Sequence, residues 1–228
     1  MNKTGLECRG VSYFPTGVGE KRQPLLQGVC ARFEKGRISL LTGEMGAGKT
    51  TLLSILAGLL RPAEGEVIAE GLPVSRWSSA HLDRWRRKMG FVFQSCHLWA
   101  ELTALENVIL PMIPRGETLA RLRTMGMESL MKLGVEDLAG RCVRGLSLGE
   151  RQRVAVARAL VSQPAFLLAD EPTAHQDEDG VNIVLDLLAS VADGNATVVV
   201  ASHDPRLFKD IRIEHRWRLT EGKIERIS

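Results

Sequence analysis

With 228 residues, 44% of them hydrophobic and 25% charged, the chain has the size and balance of one α/β domain with a core of its own. That composition excludes a disordered, collagenous or disulfide-scaffolded protein, and the net charge of +3 is mild. Cys8, Cys30, Cys96 and Cys142 form no CxxC and no paired His spacing, so they read as small buried hydrophobes in a reducing compartment.

No apolar run follows Met1-Asn2-Lys3-Thr4, so no signal peptide is expected. Apolar stretches such as Phe166–Ala169 and Val198–Ala201 are strand-sized, far short of the roughly 20 residues a spanning helix needs. Work at a membrane would require something else to hold the chain there.

A strand-like run over Leu6–Val11 opens the chain, and the Gly/Pro/Lys-rich Pro15–Pro24 stretch reads as a hairpin tip or inserted turn. Arg37–Leu41 is a short apolar strand that delivers the chain into Thr42-Gly43. Helical periodicity starts at Thr50 and runs through Leu52, Leu53, Ile55, Leu56 and Leu59, with Gly58 and Pro62 marking its end. Arg84, Arg86, Arg87 and Lys88 surround Trp85 in a helical segment. They lack a second basic patch or aromatic interleaving, so they read as a solvated face, and no nucleic acid partner is expected.

The stretch from about 95 to 161 is helix-rich and interrupts two strand-rich parts, 1–94 and 162–228. Strand signals return at Phe166–Asp170 and Thr197–Ser202, with a helix over Val181–Val191 between them. Alternating strands and helices imply a mainly parallel sheet covered on both faces. The expected architecture is an α/β, P-loop nucleotide-binding core with a small antiparallel β-subdomain and an inserted α-helical subdomain.

Gly43-Glu44-Met45-Gly46-Ala47-Gly48-Lys49-Thr50 matches GxxxxGK[ST] between an apolar strand and an amphipathic helix. Glycines let the backbone curl so that successive N–H groups face phosphate oxygens, and the helix N-terminus adds its positive dipole. Lys49 supplies a compact charge for the β- and γ-phosphates and the Thr50 hydroxyl can ligate Mg²⁺; the cradle is taken to extend to Thr51. The second phosphate-site element is Phe166–Asp170 followed by Glu171, an apolar strand that carries two carboxylates to the carboxyl edge of the sheet. Asp170 is assigned to Mg²⁺ and Glu171 to the attacking water.

These residues resemble the ABC (ATP-binding cassette) ATPase family, over nearly the whole chain. Gln94, in Gly90-Phe91-Val92-Phe93-Gln94, looks like the Q-loop glutamine, which implies contact with Mg²⁺ and the attacking water. Leu146-Ser147-Leu148-Gly149-Glu150 is similar to the LSGGQ signature, Thr173–Asp177 resembles the D-loop segment, and His203 falls on the switch histidine that reaches the γ-phosphate. The resemblance implies a head-to-tail homodimer in which Ser147 and Gly149 of one copy bind the γ-phosphate of ATP held by Lys49 of the other, so that binding closes the dimer and hydrolysis opens it. An aromatic residue after the first strand should stack on adenine; Tyr13 is the choice, with Phe14 its close rival.

Two positions depart from the family pattern. Leu148 stands at the signature's first glycine, which is tolerable if its φ stays negative and its side chain points aside; Gln176 replaces the leucine usual before the D-loop aspartate. Neither alters Lys49, Asp170, Glu171 or His203, and a working ATPase is expected.

The stretches Arg87–Gln94, Leu102–Pro111 and Leu168–Thr173 are similar to the subgroup of lipoprotein-releasing, macrolide-exporting and cell-division motor subunits. That similarity implies a separate transmembrane permease as partner and a cytoplasmic, peripheral location on the inner membrane through it. Ser95–Trp99, after the Q-loop, reads either as part of the permease groove or as core beneath the helices. A soluble ABC ATPase of translation or DNA maintenance is the alternative, though the tandem cassettes or coiled-coil insertion usual there are missing from this sequence.

Overall fold

The computed structural model describes residues 4–15 and 23–227. In chain order its elements are β1 (Thr4–Tyr13), β2 (Leu26–Glu34), β3 (Arg37–Thr42), α1 (Lys49–Leu56), β4 (Glu64–Ala69), α2 (Ser79–Arg86), β5 (Met89–Val92) and α3 (Ala104–Ile109). There follow α4 (Leu119–Met131), α5 (Leu148–Leu160), β6 (Phe166–Asp170), α6 (Glu178–Asp193), β7 (Thr197–Ala201), α7 (Pro205–Lys209), β8 (His215–Thr220) and β9 (Lys223–Arg226).

A six-stranded sheet runs in the order β5-β6-β7-β3-β8-β9, parallel throughout except for β9, which closes the edge antiparallel to β8. A separate antiparallel sheet has the order β2-β1-β4. The expected parallel core and small antiparallel unit are both present. Most of the Pro15–Pro24 stretch lies outside the described residues.

Every residue of β6 is buried, because both faces of the sheet are covered. Phe166 and Leu168 point into a core shared with α1, α2 and the antiparallel sheet, while Leu167 and Ala169 point into a second core built with α3, α4, α5 and α6. The buried apolar residues of the 95–161 stretch therefore share a continuous core with one sheet face.

Register sets the geometry of the site. Asp170 and Leu41 both pair with Ala201, and Val92 pairs with Ala169. The residues that follow these strands, namely Gly43, Gln94, Glu171 and His203, therefore leave the sheet together at its carboxyl edge, where ligands bind in open α/β folds.

Three local expectations need correction. Helix α1 ends at Leu56, short of Leu59, because Gly58 adopts φ 70 and leaves Leu59 44% exposed. Helix α6 begins three residues before Val181, because the Asp177 side chain caps it by accepting the Gly180 N–H at 2.9 Å. Of the cysteines only Cys8 is buried, its thiol pushed up to about 12 by burial, whereas Cys30 lies one residue out of phase with inward Val29 and Ala31 and is exposed.

In the basic cluster, Trp85 is 3% exposed and packs on Phe166 with ring centroids 4.6 Å apart. Arg86 bonds Asp83 and the Gly58 carbonyl, and Lys88 pairs with Glu70.

Candidate functional site

The segment from Gly43 to Lys49 needs glycine at both ends. Gly43 has φ 148, and a Cβ there would lie 2.3 Å from the Leu219 carbonyl oxygen; Gly48 has φ 102 at the cap of α1 and faces Leu25 and Leu26. The loop curls around the Lys49 side chain, whose Nζ donates to the carbonyls of Gly43 at 2.7 Å and Glu44 at 3.0 Å. An ammonium so held is a fixed positive charge at a helix N-terminus.

Beside it, the Thr50 hydroxyl donates to Asp170 Oδ2 at 2.5 Å, across the gap between α1 and β6. Burial raises the Asp170 carboxyl above its ordinary range, a push reinforced by Glu171 and opposed by the Thr50 hydroxyl and Lys49. A hydroxyl and a carboxylate in contact, with Gln94 lining the same cavity, are hard-oxygen donors of the kind Mg²⁺ takes.

Glu171 has φ 51, strained for a non-glycine residue, and its backbone is bonded on both sides. Its N–H donates to Ala201 O at 2.8 Å, and its carbonyl accepts from the Gln152 side chain at 2.9 Å and the Ala174 N–H at 3.1 Å. Its carboxylate is 8% exposed and accepts from Ser202 Oγ at 2.7 Å and from the His203 N–H at 3.1 Å, with His203 Nδ1 2.6 Å from Oε1. Ser202, Gln152 and Leu25 were missed by sequence reasoning. Ser202 carried a weak signal as the neighbour of His203, while the others are recruited only by tertiary packing.

One cavity of about 450 Å³ gathers Gly43, Glu44, Met45, Gly46, Gly48, Lys49, Thr50, Thr51, Gln94, Asp170, Glu171 and His203, together with Leu25. Ala47 belongs to the same loop and lines the adjoining hollow with Leu25. Tyr13 is not among the cavity residues: it ends β1, accepts the Leu25 N–H at 2.9 Å through its carbonyl, and packs its side chain against the core. Phe14 is half-buried beside it.

Ser147 and Gly149 do not line that cavity either. Ser147 caps α5 in a reciprocal capping box, its Oγ accepting the Glu150 N–H and its own N–H donating to Glu150 Oε2 at 2.7 Å. The S-x-x-E spacing was a readable cap signal that the signature reading left unused. Leu148 begins the helix with negative φ and is 57% exposed, the orientation under which leucine was expected to be tolerated. Gln176 Nε2 donates to the Gly149 carbonyl at 2.8 Å, so the D-loop grips the signature within one chain.

A second hollow of about 410 Å³ is lined by Arg86, Arg87, Arg115 and Arg158 with Phe91 and Phe93. In the Ser95–Trp99 stretch, His97 lines this hollow, Leu98 packs on the core and Trp99 is exposed. No helix among the described residues is long and apolar enough to cross a membrane.

The family model described as ABC transporter matches residues 26–174. The lipoprotein-releasing system ATP-binding protein LolD of Aquifex aeolicus is 39% identical over 202 residues, covering 88% of this chain and 89% of that protein. LolD of Buchnera aphidicola subsp. Acyrthosiphon pisum is 36% identical, with 86% of each chain covered. Among solved structures, the dimeric bacterial ABC transporter cassette MJ0796 superposes with a TM-score of 0.91 at 32% identity, covering 97% of both chains. The same cassette in a post-hydrolysis dimer with ADP and Pi gives 0.90 at 31% identity, covering 98% of this chain and 99% of that one. Loop, carboxylate pair and histidine at one sheet edge, on a fold that matches an ATP-cleaving cassette this closely, carry one conclusion: the chain belongs to the ABC transporter family and is one of its ATP-binding, ATP-hydrolysing subunits.

Proposed function

We propose that the chain is the motor of a membrane transporter, working as a head-to-tail homodimer that sandwiches two ATP molecules and drives a separate permease. One observation carries the dimer: Ser147 and Gly149 lie off the cavity that holds Lys49, Glu171 and His203, so the signature has no nucleotide of its own to touch. A second copy related by a two-fold axis would supply one. The dimeric cassette structures support this reading.

In each site Lys49 and the loop N–H groups would hold the β- and γ-phosphates. Thr50, Asp170 and Gln94 would hold Mg²⁺, which when bound offsets phosphate charge. Glu171 would take the proton of the attacking water, and His203, whose side chain is 76% exposed, would turn from Glu171 toward the γ-phosphate. Tyr13 remains the proposed adenine contact, reached through the Leu25 end of the cavity.

The arginine-lined hollow beside His97 would seat a cytoplasmic segment of the permease, holding the subunit at the cytoplasmic face of the inner membrane. The relatives named for lipoprotein release support the transporter reading over a soluble role in translation or DNA maintenance.

The test expresses a tagged Glu171→Gln variant in its host, adds ATP and Mg²⁺ and identifies what co-purifies from gently solubilised membranes. A doubled mass with a co-purifying permease is expected. A monomer with only soluble partners would remove both halves of the proposal.

A further inference from the structure

Gln152 lies on α5, five residues after Ser147, and is only 1% exposed. A buried primary amide must satisfy both ends, and here the ends are assigned by their partners. Nε2 faces the Glu171 carbonyl, which only accepts, at 2.9 Å; Oε1 therefore faces outward to Cys96, whose thiol donates at 2.8 Å. Cys96 sits two residues beyond Gln94 with φ 58, and the next residue, His97, has φ 46. Both of their carbonyls accept from Arg158, six residues further along the same helix than Gln152. One helix thus grips the loop behind Gln94 twice and the backbone of Glu171 once, and the two grips meet in a single side chain.

We infer that Gln152 is a positioning residue for ATP hydrolysis: with Cys96 it ties the loop that carries Gln94 to the backbone of Glu171, so that the two groups assigned to the attacking water keep a fixed separation. This rests on Glu171 being the catalytic carboxylate. The left-handed φ of Glu171 shows why a tether is needed, since a strained backbone persists only where its surroundings over-determine it. Because His97 and Arg158 also wall the arginine-lined hollow, a segment seated there would press on the same tether.

Steady-state ATPase kinetics on the purified, full-length chain test this. Gln152→Leu removes both bonds at similar volume, and Gln152→Glu removes the donor to Glu171 while keeping an acceptor for Cys96. Both should lower kcat at least about tenfold while KM for ATP stays within about twofold, as expected for misplaced reacting groups. Cys96→Ala should lose less, Cys96→Ser should recover most of that loss, and Gln152→Leu with Cys96→Ala should be no slower than Gln152→Leu alone.

A kcat within about twofold of the unchanged chain for Gln152→Leu would overturn the inference. So would losses that multiply in the double variant. If Gln152→Leu does not fold, the Cys96→Ala and Cys96→Ser pair decides, because equal rates for those two would sever the tether. Glu171→Gln, run alongside, separates the two levels: turnover there would defeat the catalytic assignment itself, whereas an inactive Glu171→Gln beside a normal Gln152→Leu would defeat only the tether.

Discussion

Glu171 and His203 meet at 2.6 Å, Oε1 to Nδ1, and the same oxygen takes the His203 backbone N–H at 3.1 Å. The other carboxylate oxygen is held by Ser202. A buried carboxylate with both oxygens occupied is oriented before substrate arrives, and such preorganisation is what makes a charged group effective in a closed site. The histidine, by contrast, is largely in water, so moving it costs little packing.

Glu171→Gln should keep most of this hydrogen bonding while losing the ability to accept a proton. Turnover should fall at least about a hundredfold with ATP affinity retained, the range for removal of a general base. Phosphate release measured alongside nucleotide titration separates the two effects, and a variant that turns over at the parental rate would reassign the base.

Lys49→Ala should weaken ATP binding at least tenfold, about 1.4 kcal/mol, because the ammonium held at the Gly43 and Glu44 carbonyls is the cradle's fixed charge. Titration with a fluorescent nucleotide reads this directly. Asp170→Asn should leave nucleotide binding in chelator largely intact while abolishing its enhancement by Mg²⁺. Equal enhancement in both proteins would take the metal away from the Thr50–Asp170 pair.

Much of the site was legible because its chemistry is local. The Gly43–Thr50 loop reads as a cradle since its spacing, its strand and its helix are contiguous, and Asp170-Glu171 reads as a carboxyl edge since the four apolar residues Phe166–Ala169 lead to it. What stayed hidden depends on contacts between distant segments. Gln152 looks like any polar residue on a helix until Cys96 and Glu171 close on it, and Ser202 gains its role only when β7 lies beside β6. Cys30 shows the limit of residue-type reasoning, since strand phase decides its exposure.

Asp210 links the end of α7 to Arg212, accepting from Nη2 at 2.5 Å and from Nε at 2.8 Å, and Arg212 in turn reaches Asp186 on α6. The Arg212 guanidinium holds the Asp210 carboxyl below its ordinary value despite partial burial. A depressed folded-state value means stability that is present above the unfolded pKa and is lost as pH falls through the folded one. Asp210→Asn should therefore cost on the order of 2 kcal/mol at pH 7, the scale of a hydrogen bond to a charged group. Thermal midpoints of the two proteins should converge as pH drops below about 4. A gap that persists unchanged at pH 3 would point to packing instead of charge.

Ser147 has two duties that a single substitution can separate. As the cap of α5 it satisfies the Glu150 N–H, and aspartate caps as well as serine. As the signature serine it would face the γ-phosphate of the opposite copy, where a second carboxylate meets like charge. Ser147→Asp should therefore hold its thermal midpoint close to the parent, while Ser147→Ala loses about 1 kcal/mol of stability through the lost cap. In a Glu171→Gln background, however, Ser147→Asp should stay monomeric with ATP and Ser147→Ala should dimerise at least in part, as read by light scattering. If Ser147→Asp dimerises as readily as the parent, the signature does not lie against phosphate. The exposed start of α5, with Leu148 beside it, would then belong to some other contact.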